Sequence, residues 1–132
     1  VFGNTMTLIS DEDLLFFGRN LSERTKEYSF LTHNLNSLKL AYVNLIGELI
    51  LRKIYEQVPL LINELENLLF PYDLLEIMLL KFLKLIDGYS KSKNSKKEIK
   101  HFIESLRVIG NSELTDILEM KLDQFGIQLN GE

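Results

Sequence analysis

The sequence has no cysteine and no tryptophan, and only two prolines and seven glycines among its 132 residues. Without cysteine there is no disulfide framework, no thiolate metal site and no cysteine nucleophile. So few turn residues argue against the many short strands of an all-β sandwich or barrel. Long apolar runs are missing as well. The longest candidate, Leu74 to Ile86, is interrupted by Glu76, Lys81 and Lys84, whereas a membrane-spanning helix needs about 20 largely apolar residues in succession. Nor is there an excess of positive charge. Fifteen basic residues face nineteen acidic ones, for a net charge of −4, a balance ill suited to general phosphate-backbone binding. No secretory signal is evident, and the lack of cysteine fits a cytoplasmic protein. The chain opens on Val1-Phe2-Gly3 without an initiator methionine. It reads as a piece of a longer protein, with a further domain expected upstream.

What is abundant is leucine, at 27 positions. With 45% hydrophobic and 26% charged residues, the composition is that of one folded domain over residues 1–132. The apolar periodicity is helical almost throughout, so an all-α fold of six helices is expected. Ser10-Asp11-Glu12-Asp13 starts the first, because a serine hydroxyl caps free amides and carboxylates favour the positive end of the helix dipole. Leu14, Gly18, Leu21, Thr25 and Tyr28 then share one face, predicting a helix over 11–28. A second begins near Asn34 and buries Leu35, Leu38, Tyr42, Leu45 and Leu49, with Ala41 and Ile46 widening the stripe. Pro59 belongs in a first turn rather than a helix interior. This places a break at 53–56 and turns Val58, Leu61, Ile62, Leu65 and Leu68 inward on a third helix.

Pro71 opens the next unit. From Tyr72 to Tyr89 the apolar residues run nearly all the way round, which predicts a helix enclosed on several sides with Lys81 and Lys84 on a narrow wet edge. Residues 90–95 read as a loop. Ser95 and Glu98 have capping-box spacing ahead of a fifth helix that buries Ile99, Phe102, Ile103 and Leu106 and stops at Gly110. Ser112 starts the sixth, with Leu114, Ile117, Leu118, Leu122 and Phe125 inward. The pairs 34–69 and 72–109 repeat at about 36 to 38 residues, the period of helix-turn-helix solenoids. No tetratricopeptide signature of Trp, Gly, Tyr and Pro is present, so a plain helical bundle is the simpler alternative.

Little in the sequence suggests catalysis, and neither an enzyme nor a cofactor is expected. His33 and His101 lie far apart in sequence. Asp11, Glu12 and Asp13 are accounted for by a helix start, and no metal-ligand spacing, phosphate loop or nucleophile elbow occurs. Lys91, Lys93, Lys96, Lys97 and Lys100 form a basic cluster relieved only by Glu98. No aromatic residue interleaves them, so a solvated loop and outer helix face is the favoured reading over a nucleic-acid or lipid contact. Asn44 stands between apolar neighbours within a helix. Its amide offers donors and an acceptor, which suit either the backbone of an extended peptide or a tie between helices. Asn4 and Tyr72 carry polar ends near helix termini.

Four stretches carry a resemblance to a known family: Phe2-Gly3-Asn4-Thr5-Met6 ahead of the first long helix, Asn44-Leu45-Ile46 in the second, Leu80-Lys81-Phe82-Leu83-Lys84 before the polar loop, and Val108-Ile109-Gly110-Asn111-Ser112-Glu113-Leu114 between the last two helices. In order and separation they resemble the C-terminal domain of the Rgg/GadR/MutR family of Gram-positive transcriptional regulators. The resemblance implies a right-handed, tetratricopeptide-like solenoid of antiparallel helix pairs. It implies a domain that dimerises and binds a short peptide pheromone on its concave face, as in quorum sensing. It also implies that DNA is bound by an N-terminal domain absent from this chain. Asn4, Asn44 and Tyr72 become candidate peptide contacts. Met78 and Phe82 become candidate pocket residues, although their apolar setting first suggests core. The alternative from a different class is a helical protein–protein interaction scaffold without a peptide ligand. No membrane partner is expected.

Overall fold

The computed structural model describes residues 7–28 and 32–129, with side chains for 7–23 and 36–129. The described residues form six α-helices and no strand: α1 (Asp11–Tyr28), α2 (Thr32–Leu51), α3 (Val58–Leu68), α4 (Leu74–Ser90), α5 (Lys96–Ile109) and α6 (Ser112–Gln124). Two compact units divide within α4, residues 1–81 and residues 82–132.

In the first unit, Ser10 Oγ accepts the Asp13 N–H at 3.1 Å and starts α1 as its sequence requires. Leu14, Gly18 and Leu21 are buried. Gly18 is needed for a close approach: a Cβ there would run into the side-chain amide of Gln57, whose Nε2 donates to the Leu15 carbonyl at 3.0 Å. The α2 helix buries Ala41, Tyr42, Leu45, Ile46 and Leu49. It ends where Lys53 takes a left-handed conformation, φ 61°, and the Ile54 N–H reaches back to the Leu49 carbonyl at 2.9 Å, closing the helix with a Schellman-type bond. Pro59 stands in the first turn of α3, which buries Val58, Leu61 and Leu65. α2 packs on α3 and on α1, and α1 on α3.

One polar knot crosses this packing. The Glu64 carboxylate on α3 has the Ser22 hydroxyl of α1 2.5 Å from both its oxygens, and the Tyr42 hydroxyl of α2 donates to Oε1 at 3.1 Å. The Tyr42 side chain is wholly buried.

In the second unit, α5 packs on α6. Phe82 is only 1% exposed. It stacks on Phe102 at 6.4 Å and meets Phe125 edge-on at the same distance. Gly110 takes φ 99° at the C-cap of α5, a left-handed position that suits glycine. Asn94 folds back on α4, its Nδ2 donating to the Leu85 carbonyl at 3.1 Å and lying where a Cβ on Gly88 would project.

Four details differ from the sequence pattern. The N-terminal half of α4 is open rather than enclosed, with Leu74, Leu75 and Ile77 exposed. Ile117 also points outward, because Leu114, Leu118 and Leu122 already fill the inner stripe of α6. Asn111, not Ser112, caps α6, its side chain accepting the Leu114 N–H at 3.2 Å. Ser95 forms no side-chain cap on α5, so the expected capping box with Glu98 is absent.

Removing the side chain of Leu61, fully buried on α3, should destabilise the chain by about 2–5 kcal/mol as Leu61→Ala. Tyr42→Phe, which removes one donor from Glu64 without opening a cavity, should cost about 0.5–1.5 kcal/mol. Urea unfolding followed by circular dichroism measures both.

Candidate functional site

The segment 70–73 between α3 and α4 is a tight turn closed from both sides. The Phe70 N–H donates to Asp73 Oδ2 at 2.8 Å, and the Asp73 N–H donates to the Phe70 carbonyl at 3.0 Å. The Asp73 carbonyl accepts the Ile77 N–H at 2.9 Å and so starts α4. Lys39 reaches this turn from α2. Although a lysine, it is only 2% exposed. Its Nζ lies 2.7 Å from Asp73 Oδ2 and 4.8 Å from the centre of the Phe70 ring, where a cation is attracted to the aromatic face. Sequence reading missed Lys39, since a lysine inside an apolar helix looks like a wet edge. Its position beside Leu38 within the buried stripe was the available signal.

This anchoring sets the aromatic residues above it. Phe70 and Tyr72 stack with centroids 5.5 Å apart and planes 10° from parallel. Tyr72 is 76% exposed, and Leu74 beyond it 61%. The result is an exposed aromatic and aliphatic strip running from the turn into the open half of α4.

The candidate residues fall into different settings. Tyr72 lies on this strip. Met78 is half-buried on α4, within the first unit. Asn44 is half-buried on α2 between buried Val43 and Leu45, and its side chain has no hydrogen-bond partner among the described residues. Lys39 and Asn44 are five residues apart, about 140° round the helix, so Asn44 does not share the face that holds the turn. No hydrogen bond joins it to Tyr72 among the described residues. Phe82 is a correction: its ring is enclosed in the aromatic core of the second unit and offers a ligand no surface. Asn4 lies outside the described residues, as does the His33 side chain. His101 is exposed on α5. No group of three or more histidines or carboxylates among the described residues could hold a metal ion, and no described helix is long and apolar enough to cross a membrane.

The family model for the C-terminal domain of the HTH-type transcriptional regulator Rgg matches residues 1–120. The chain belongs to this family. The match covers the first five helices and α6 as far as residue 120, hence the whole first unit of this Rgg-type domain and most of the second. A comparison with curated proteins gives no match. The family assigns the domain to a transcriptional regulator.

The Lys39 ammonium, and after it the Phe70 N–H, hold the Asp73 carboxyl below its ordinary value. A folded-state value depressed in this way stabilises the protein above the unfolded-state value, and the benefit is lost as pH falls through the folded-state one. The chain should therefore be more stable than Asp73→Asn at neutral pH, and the gap should close as pH drops below about 3.9, the ordinary aspartate value. Urea midpoints taken from pH 7 to pH 2.5 would show it. A gap independent of pH would mean that the charge of Asp73 is not what holds the turn.

Proposed function

We propose that residues 1–132 act as a single sensing and dimerisation domain that binds a short signalling peptide and passes its state to a DNA-binding domain elsewhere in the regulator. In this reading the helix pairs form a tetratricopeptide-like solenoid, and the protein works in the cytoplasm. The observation that carries it is Asn44. A side-chain amide half-buried in an apolar helix, with no partner among the described residues, keeps its donors and its acceptor open to solvent and so available to a ligand. The backbone of an extended peptide presents both an acceptor and a donor at that spacing. Tyr72 supplies a second contact of a different kind, an exposed ring held rigid by its stack on Phe70, and Met78 an adaptable apolar one. A pheromone read this way would gain affinity through its main chain at Asn44 and selectivity through apolar side chains.

Fluorescence anisotropy with labelled hydrophobic peptides of about eight residues tests the proposal. Saturable binding is expected, weakened about ten-fold by Asn44→Ala, the worth of one net hydrogen bond of roughly 1.4 kcal/mol. Tyr72→Ala should weaken it independently. A folded chain that binds none of the peptides would instead favour the scaffold reading.

A second observation supports the dimer. Val108 and Ile109 at the end of α5 and Met120 on α6 are exposed apolar residues of one unit; the Arg107–Glu119 ion pair, at 2.8 Å, joins their two segments, and a contiguous apolar patch there would mark an association surface. The parent chain should sediment as a dimer, and the double variant Val108→Asp, Met120→Asp as a monomer. Dimerisation unchanged by the double variant would move the interface elsewhere.

A further inference from the structure

The basic cluster gathers much of the chain's positive charge in one short segment. Between residues 91 and 100 lie five of the fifteen basic residues and one of the nineteen acidic ones, so the rest of the chain holds ten basic and eighteen acidic residues. The charges are segregated, not mixed. Lys91 pairs with Asp87 at 3.1 Å. Lys93, Lys96, Lys97 and Lys100 have no carboxylate partner among the described residues, and three of the four are exposed, Lys96 being half-buried. The buried stripe of α5, Ile99, Ile103 and Leu106, holds the helix so that these lysines stay outside.

Their placement also runs against local stability. Lys96 and Lys97 occupy the first turn of α5, beside the positive end of the helix dipole, where a cation is disfavoured. Ser95 stands at the N-cap but forms no side-chain cap, leaving the first-turn amides without that acceptor. The lysines and the dipole outnumber Glu98, the one acid of that first turn, whose N–H donates to the Ser95 carbonyl at 3.2 Å, and leave a positive patch on an otherwise acidic chain. Like charges gathered in this way are relieved when an anion arrives.

We infer that Lys93, Lys96, Lys97 and Lys100 form a contact surface for the phosphate backbone of duplex DNA, independent of base sequence. Lysines supply point charges, which suit phosphates better than the bidentate reading of bases. Asn94, the one amide in the cluster, is already committed to the Leu85 carbonyl. No aromatic residue stands between 91 and 100, so the stacking platform of a single-strand binder is missing. Ile99 is fully buried and no other large apolar residue lies in that segment, so the apolar anchor of a membrane-surface helix is missing too. The regulator to which this domain belongs is of the helix-turn-helix type, a DNA-binding class. A basic patch on the C-terminal domain would add a sequence-independent contact to that binding. The surface shares no residue with the proposed peptide contacts.

The test is titration of the chain into a fluorescein-labelled 20-base-pair duplex of arbitrary sequence, read by anisotropy at several salt concentrations. Four neutralised phosphates predict a slope of about −3.6 in log K against log salt, hence roughly 150-fold weaker binding at 200 mM than at 50 mM salt. The variant with all four lysines changed to glutamine should bind more than ten-fold more weakly at 50 mM and show a flatter slope. The milder pair Lys97→Gln, Lys100→Gln should lose about half of the slope, and circular dichroism should show unchanged helix content in both. The proposal is overturned if the parent shows no saturable binding at 50 mM salt, if the four-lysine variant binds as the parent does, or if phosphatidylserine vesicles are bound while the duplex is not.

Discussion

A carboxylate half-buried between helices is held by the donors that reach it, and Glu64 finds one hydroxyl on each of two neighbours. Ser22 must therefore be on the inner face of α1 and Tyr42 on the inner face of α2. The apolar stripes around them pack in any of several nearby registers at similar cost, since dispersion and burial are not directional. The knot is directional. It selects the register in which Leu14, Leu21, Leu45, Leu61 and Leu65 interlock, and it leaves room for Gln57 over Gly18. The apolar residues supply most of the stabilisation; the polar knot decides which arrangement they adopt.

A second charged group extends the same logic to the surface. Lys39 is buried yet has two partners, the Asp73 carboxylate and the Phe70 ring. Both belong to the turn that starts α4. Holding that turn fixes Phe70 beneath Tyr72 and presents an aromatic surface at little entropic cost, because stacked rings have few rotamers left to lose. The exposed half of α4 follows from it. Buried polar anchoring and exposed apolar surface are thus linked in this Rgg-type domain, and the proposed sensing role uses the second because the first holds it in place.

Much of the fold was legible from one-dimensional pattern. The boundaries of α1, the break before Pro59, the polar loop after Tyr89 and the stop at Gly110 all rest on short-range chemistry: caps, left-handed residues and the loss of a donor at proline. The failures share a cause. Leu74, Leu75 and Ile77 look as apolar as Leu80 or Ile86, and periodicity cannot tell a helix face covered by a neighbour from one left open. Lys39 failed in the opposite sense, because its burial depends on Asp73, 34 residues away. Phe82 was named both as a pocket and as a core residue, and only Phe102 and Phe125 closing round it decide for core. Asn44 stood out as an amide among apolar residues, but whether a neighbouring helix would satisfy it was not readable.

The sequence by itself determined that the chain is helical, where five of its helices begin or end, and which family it belongs to, because each of these depends on residues close together or on their order. The tertiary structure alone decided which polar groups find partners. Glu64 meets Ser22 and Tyr42, Lys39 meets Asp73, and the lysines at 93, 96, 97 and 100 meet no carboxylate among the described residues. Partnership is a matter of distance between side chains from different helices. Since a charge is costly when buried alone and cheap when paired or hydrated, that distance separates the charges that build the fold from those left free to act on something else.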